Sequence, residues 1–99
     1  MMIRSFRDPG TEDIFNGADT KRARKVCPAS LWKVARRKLD LVDSAGALAD
    51  LRVPSANRLE ALKGNRAGQH SIRVNDQYRV CFVWTELGPT EVEVVDYHD

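Results

Sequence analysis

Cysteine, long apolar runs and metal-binding patterns are what this sequence has least of. Only Cys27 and Cys81 occur in 99 residues, one beside a proline and one inside an apolar run. That placement yields neither a disulfide framework nor a paired-cysteine metal knuckle, and both are expected as reduced thiols. The longest unbroken apolar stretch, Val80 to Trp84, is far too short to cross a bilayer, so no membrane partner is expected. The opening MMIRSFRDPG lacks the apolar run and small-residue cleavage pattern of an export signal, which makes the cytoplasm the expected location. No HxxxH, CxxC, P-loop or GxGxxG is present, so metal-assisted hydrolysis and dinucleotide chemistry are unsupported and no cofactor is expected. A cysteine hydrolase fails on placement, since Cys81 falls near Arg79 but has no histidine partner. Metal-free acid–base chemistry remains.

Composition is that of an ordinary globular chain: 42% apolar residues are too many for disorder, and 30% charged residues too many for a membrane-embedded protein. No repeat or linker divides it, and one domain over residues 1–99 is expected, with a modest core. The net charge is only +2 but unevenly placed, with 12 basic and 8 acidic residues from Met1 to Glu60 against 4 and 6 from Ala61 to Asp99. Lys21, Arg22, Arg24 and Lys25 in KRARK, and Arg36 and Arg37 in RRK, are dense enough to point to a polyanion such as RNA. A plain solvated helix face and loop is the competing reading of the same charges.

Periodicity divides the chain. MIRSFRD alternates and stops at DPG, which predicts a short first strand; TEDIFNG predicts one or two helical turns beginning near Pro9 and closed by Gly17. From Pro28 onward Leu31, Ala35, Leu39 and Val42 recur at helical spacing, with the charges mostly off that stripe. A further turn is expected around Ala47 to Leu51, and a loop at Pro54, Ser55 and Asn57. After Gly68 the period falls to two: His70, Ile72 and Val74, a turn at NDQ, then Val80, Phe82 and Trp84, a turn at ELGPT, then Val92 and Val94. This predicts a three-strand antiparallel meander preceded by helices, hence an α+β fold with helices on one face of the sheet.

Side chains two apart share a face, so if the apolar set meets the helices, then Arg73, Arg79 and Tyr97 point together to the opposite, uncovered side. Two guanidiniums and a phenol there would make a platform for phosphate and an unpaired base. The same face could equally be solvated, with cross-strand pairing of arginine to Glu93. At the terminus, Asp96, Tyr97 and His98 would lie beside Arg79 if the last two strands pair.

Three ordered blocks carry a resemblance to a known family. MIRSF at the start, RLEALKGNRAGQHSIRVNDQYRVCFVW in the middle and VEVVDYH at the end resemble the bacterial RelE/HigB toxins, ribosome-dependent mRNA endonucleases of toxin–antitoxin pairs. The likeness covers nearly the whole chain, KRARKVCP and RVPSAN being the least diagnostic parts. It implies a RelE-like fold: an antiparallel sheet of about four strands, the first N-terminal and then the C-terminal meander, with two to three helices packed on one face.

The resemblance also implies a chemistry. Members cut mRNA in the ribosomal A site without metal, the ribose 2′-OH attacking the adjacent phosphate to give a 2′,3′-cyclic phosphate and a 5′-OH. Lys63, in LKG, matches the family's phosphate-contacting lysine, and Arg79, in YRVCF, the arginine that stabilises the scissile phosphate. Asp96, Tyr97 and His98 match the C-terminal catalytic group, with Tyr97 orienting or stacking a base. Glu60 stands where some members carry histidine and relatives of the YoeB kind a glutamate; a carboxylate can take the 2′-OH proton, and which group is the base stays open. Arg66 and Arg73 would join Lys63 and Arg79 on the RNA phosphates, each well-placed donor offsetting about 3 kcal/mol of developing charge. The implied partners are a HigA-like antitoxin, the ribosome and its mRNA, and operator DNA reached through the antitoxin. A non-catalytic RNA- or protein-binding module on the same scaffold is the alternative, favoured by Glu60 in place of histidine.

Overall fold

The computed structural model describes residues 1–97. Helix α1, Pro9–Phe15, starts where the sequence dictates: Asp8 caps it by accepting from the Thr11 amide at 2.6 Å, and Pro9 occupies a first-turn position that needs no donor. Helix α2, Lys21–Val26, begins at Thr20, whose hydroxyl accepts from the Ala23 amide at 3.0 Å. Periodicity does not reveal α2, because only Ala23 of its six residues is buried and a single apolar position makes no stripe. A 3-10 turn, Ala29–Leu31, leads into α3, Trp32–Ser44, which buries Ala35, Leu39 and Val42 as their spacing predicts. Two more 3-10 turns follow, Leu48–Arg52 and Ser55–Asn57.

The sheet has four antiparallel strands in the order β1 (Glu60–Ala61), β2 (His70–Arg73), β3 (Tyr78–Thr85), β4 (Gly88–Asp96). The β2–β3 turn forms at NDQ, where the Asn75 side chain accepts from the amides of Gln77 and Tyr78 at 2.9 and 2.7 Å. The expected four strands are present, but the fourth is Glu60–Ala61 on one margin, not the opening segment. Residues 4–7 do run extended beside β4, in parallel, with a single bridge from Phe6 to Val92. A regular ladder fails there for a local reason. Glu91 has φ +52, and Glu91 with Val92 opposes Phe82 alone, a bulge that bends the margin of β4.

Ile72, Val80, Phe82, Val92 and Val94 meet Ile14, Ala35, Leu39, Val42 and Leu51 in one buried cluster between sheet and helices. A polar clasp joins α1 to α2. Arg22 donates twice to Asp13, both at 2.9 Å, and Thr20 adds a bond at 2.7 Å; the guanidinium and hydroxyl hold the Asp13 carboxyl below its ordinary value, and Asp13 raises that of Arg22. Deeper in, the ammonium of Lys38 donates to Asn57 Oδ1 at 2.6 Å, and the Asn57 amide donates to the carbonyls of Leu51 and Val53 at 3.2 and 3.3 Å. Burial, then repulsion from Arg37 and Arg73, lowers the Lys38 pKa. Among the described residues no helix is long and apolar enough to cross a membrane.

Candidate RNA-binding and catalytic clefts

Pairing of β2, β3 and β4 places Ser71, Cys81 and Glu93 in one cross-strand row and Arg73, Arg79 and Val95 in the next, all on the face away from the helices. That face is not bare, as alternation alone would have it. Ser71 and Cys81 are fully buried and Glu93 nearly so, because arginine side chains lie across them. Burial pushes the Cys81 thiol up to about 11, and that of Cys27 also to about 11, so neither is a nucleophile at neutral pH.

Arg79 is the fixed centre. Its side chain is 12% exposed; Nε donates to Ser71 Oγ at 2.7 Å, Nη2 donates to the Arg58 carbonyl at 2.7 Å, and the Glu60 carboxylate stands 3.5 Å away. Arg66 lies in the 3-10 turn Gly64–Arg66 that folds over the sheet. It donates to Gln69 at 3.0 Å, sits 3.6 Å from Glu93 and lies 5.7 Å from the centre of the Tyr97 ring. Glu93 also takes Arg7 at 3.2 Å. Pairing of arginine to Glu93 therefore exists, but it comes from the loop and the N-terminal segment, while the strand arginines go elsewhere: Arg73 pairs with Asp76.

Two clefts of about 520 Å³ each open on this face. The first is lined by Arg58, Arg73, Arg79, Asn75 and Asp76, the second by Ala61, Leu62, Lys63 and Gly64, and Glu60 and Tyr97 line both. Lys63 is exposed and makes no ion pair among the described residues. Such an arrangement offers guanidinium forks for phosphate oxygens, a ring for a base and a carboxylate, 45% exposed, that can accept a proton between them.

The structure brings only some of the sequence-predicted residues together. Glu60, Lys63, Arg73, Arg79 and Tyr97 line the clefts. Arg66 lies under them, engaged with Glu93. Asp96 does not join them: it follows Val94 onto the other face of β4, where it accepts from Gln77 Nε2 at 2.9 Å. His98 lies outside the described residues. Of the basic cluster in α2, Arg22 and Arg24 are paired with Asp13 and Asp19, whereas Lys21 and Lys25, with Arg36 and Arg37 of α3, are exposed in the helical layer across the sheet from the clefts. No group of acidic, histidine or cysteine side chains that could hold a metal occurs among the described residues.

Sequence reasoning missed Ser71, Arg58, Asn75 and Asp76. Ser71 was legible, two residues from Arg73 on the same face. Arg58 carries no such signal, since its place depends on a loop conformation that no periodicity encodes.

Against known proteins, the chain matches over residues 4–99 the family described as the RelE-like toxin of type II toxin–antitoxin system HigB. It is 44% identical over 85 residues to Toxin HigB-1 of Vibrio cholerae serotype O1, the alignment covering 86% of each chain. It is also 39% identical over 77 residues to an uncharacterized protein of Haemophilus influenzae, covering 78% of this chain and 73% of the other.

Proposed function

This chain belongs to the RelE-like HigB toxins of type II toxin–antitoxin systems, and we propose that it is a ribosome-dependent, metal-independent endoribonuclease that cuts translated mRNA in the A site. The observation that carries this reading is the convergence of Arg79, Glu60, Lys63 and Tyr97, drawn from two strands, a loop and the residue after β4, on two adjoining clefts. Glu60 takes the 2′-OH proton as the 2′-oxygen attacks the phosphorus. Arg79, held by Ser71 and the Arg58 carbonyl, needs no reorganisation to meet the charge that grows on the phosphorane, and Lys63 contributes from the second cleft. The P–O5′ bond breaks and the leaving oxygen takes a proton, a step the family resemblance gives to His98. Tyr97 stacks a base, and Asp96, bonded to Gln77, fixes the end of β4 that presents it.

The match over residues 4–99 supports reading the chain as one toxin domain acting in the cytoplasm, restrained by a HigA-like antitoxin bound to the helices or loops and carried by it to operator DNA. A net charge of +2 gives little affinity for free RNA, so ribosomal RNA would supply the positioning. Lys21, Lys25, Arg36 and Arg37 are the cations available for it, since Arg22 and Arg24 already answer carboxylates.

Primer-extension mapping after induction, with translated and untranslated copies of one message, tests the reading. Breaks confined to the translated copy, and lost in Arg79→Ala, are expected; breaks in both copies would remove the ribosome from it. The second reading, a binding module without chemistry, is favoured by Glu60 where some relatives carry histidine. Growth arrest of equal strength by wild type and Arg79→Ala, with the message intact, would establish that alternative.

A further inference from the structure

Arg58 is one of two non-glycine residues with positive φ among those described, and the bulge in β4 accounts for the other, Glu91. At Arg58 the backbone stands at φ +46, ψ +57, a conformation in which glycine or asparagine is at home and arginine is strained. The chain is held there from both sides. The Arg58 amide donates to the Ser55 carbonyl at 3.1 Å, its carbonyl accepts from Arg79, and the preceding Asn57 is fully buried against Lys38.

Among the described residues the side chain on this stem has no partner. Arg58 is exposed, lines the first cleft and makes no ion pair or side-chain hydrogen bond among the described residues, whereas its neighbours Arg73 and Arg79 are engaged by Asp76 and by Ser71 and Glu60. Lys63 is the corresponding unengaged cation of the second cleft. A path through the two clefts thus meets a positive charge unengaged among the described residues, then the Arg79–Glu60 pair beside Tyr97, then a second such charge. The backbone position serves the fold, by presenting the carbonyl that holds Arg79, but an arginine there rather than glycine or asparagine serves no contact among the described residues, and a ligand for its charged group would account for it.

We infer that Arg58 binds substrate: its guanidinium holds an RNA phosphate flanking the scissile one, at the opposite end of the track from Lys63. The inference rests on the endoribonuclease reading and adds to it that cleavage requires backbone on both sides of the scissile linkage.

Arg58→Gly separates the side chain from the backbone, since glycine accepts this φ and removes the charge. The assay is cleavage of ribosome-bound message at several salt concentrations, with a thermal melt of each variant. Arg58→Gly is expected to melt at or above the wild-type temperature. Its half-saturating message concentration should rise about tenfold, the size of one lost charge-assisted hydrogen bond, with little change in kcat. The slope of affinity against log salt should fall by about one, and Arg58→Lys should restore most of both. An unchanged KM and salt slope in Arg58→Gly, with wild type cutting normally, overturns the inference alone. So does a fall in kcat at constant KM, which would mean that the Arg58 side chain acts on the alignment of the reacting groups and not on bound RNA. A wild type that cuts no message removes the endoribonuclease reading, and this inference with it.

Discussion

Positive charge is packed tightly along the chain in α2 and spread out along the segments that form the clefts, and the two regions use it in opposite ways. In α2 four cations occur in five residues, and two of them, Arg22 and Arg24, are taken by Asp13 and Asp19 at its own surface. Arg58, Lys63, Arg73 and Arg79 are spread over 22 positions and come together on two adjoining clefts. Density in sequence therefore marks a helix whose cations serve its own packing, as Arg22 does on Asp13, or stay in solvent, while dispersion along strands and loops produces convergence. The difference lies in anchoring: Arg79 is 12% exposed and held by three acceptors, whereas Arg24 is more than half exposed.

The contrast can be broken most directly by activity. Arg79→Ala is expected to lower cleavage by about 100- to 1,000-fold, as for removal of one preorganised donor to a developing oxyanion, while Arg24→Ala changes it by less than about twofold. Equal losses in the two variants would mean that the helical layer takes part in the chemistry. Next in size is a stability effect under the clefts. Asn57→Ala leaves the Lys38 ammonium buried without an acceptor and strips two carbonyls of their donor, and should cost about 3 kcal/mol in urea unfolding. Adding Lys38→Met should recover part of that loss by removing the orphaned charge, and a further drop in the double variant would contradict this account.

Smaller effects sharpen the other side of the comparison. Thr20→Ala removes the cap of α2 and should cost about 1 kcal/mol while cleavage per folded molecule stays at the wild-type rate. A further effect appears only at alkaline pH. Cys27 and Cys81 ionise near 9 when unfolded and at about 11 when folded, so the unfolded chain binds fewer protons in that interval. Their contribution to stability is complete below pH 9 and is lost as pH rises through about 11. Lys38, lowered by burial, acts in the opposite sense: its contribution rises with pH between its lowered value and 10.5. The difference in unfolding free energy between wild type and Cys27→Ala/Cys81→Ala isolates the thiol part and should slope downward over that range; a flat difference would show the thiols to be more accessible than their burial implies.

Much of this was legible beforehand, for identifiable reasons. Helix α3 and the meander announce themselves because long elements with one buried face impose a period on many residues. Arg73, Arg79 and Tyr97 were placed together by alternation alone. The same rule, applied to consecutive residues, sends Asp96 to the other face from Tyr97, which their adjacency in the resemblance concealed. Helix α2 was hidden because it buries one side chain. The opening segment reads as a strand and is extended, but alternation does not say how many partners a strand will find, and the bulge at Glu91 leaves it one bridge. Arg58 lay beyond reach because its position follows from a loop pinned by Lys38 and Asn57, contacts between residues 19 apart in sequence.

The margins of the sheet have a last consequence. On one side the outermost strand is two residues long, and on the other the chain's own beginning lies across the Pro89 carbonyl and the amide and carbonyl of Val92. At these two places little main chain is left for another molecule to zip onto, which disfavours stacking of copies into fibres there. A partner that fills a groove or seats a helix suits such margins better than one that extends the β-structure by one more strand.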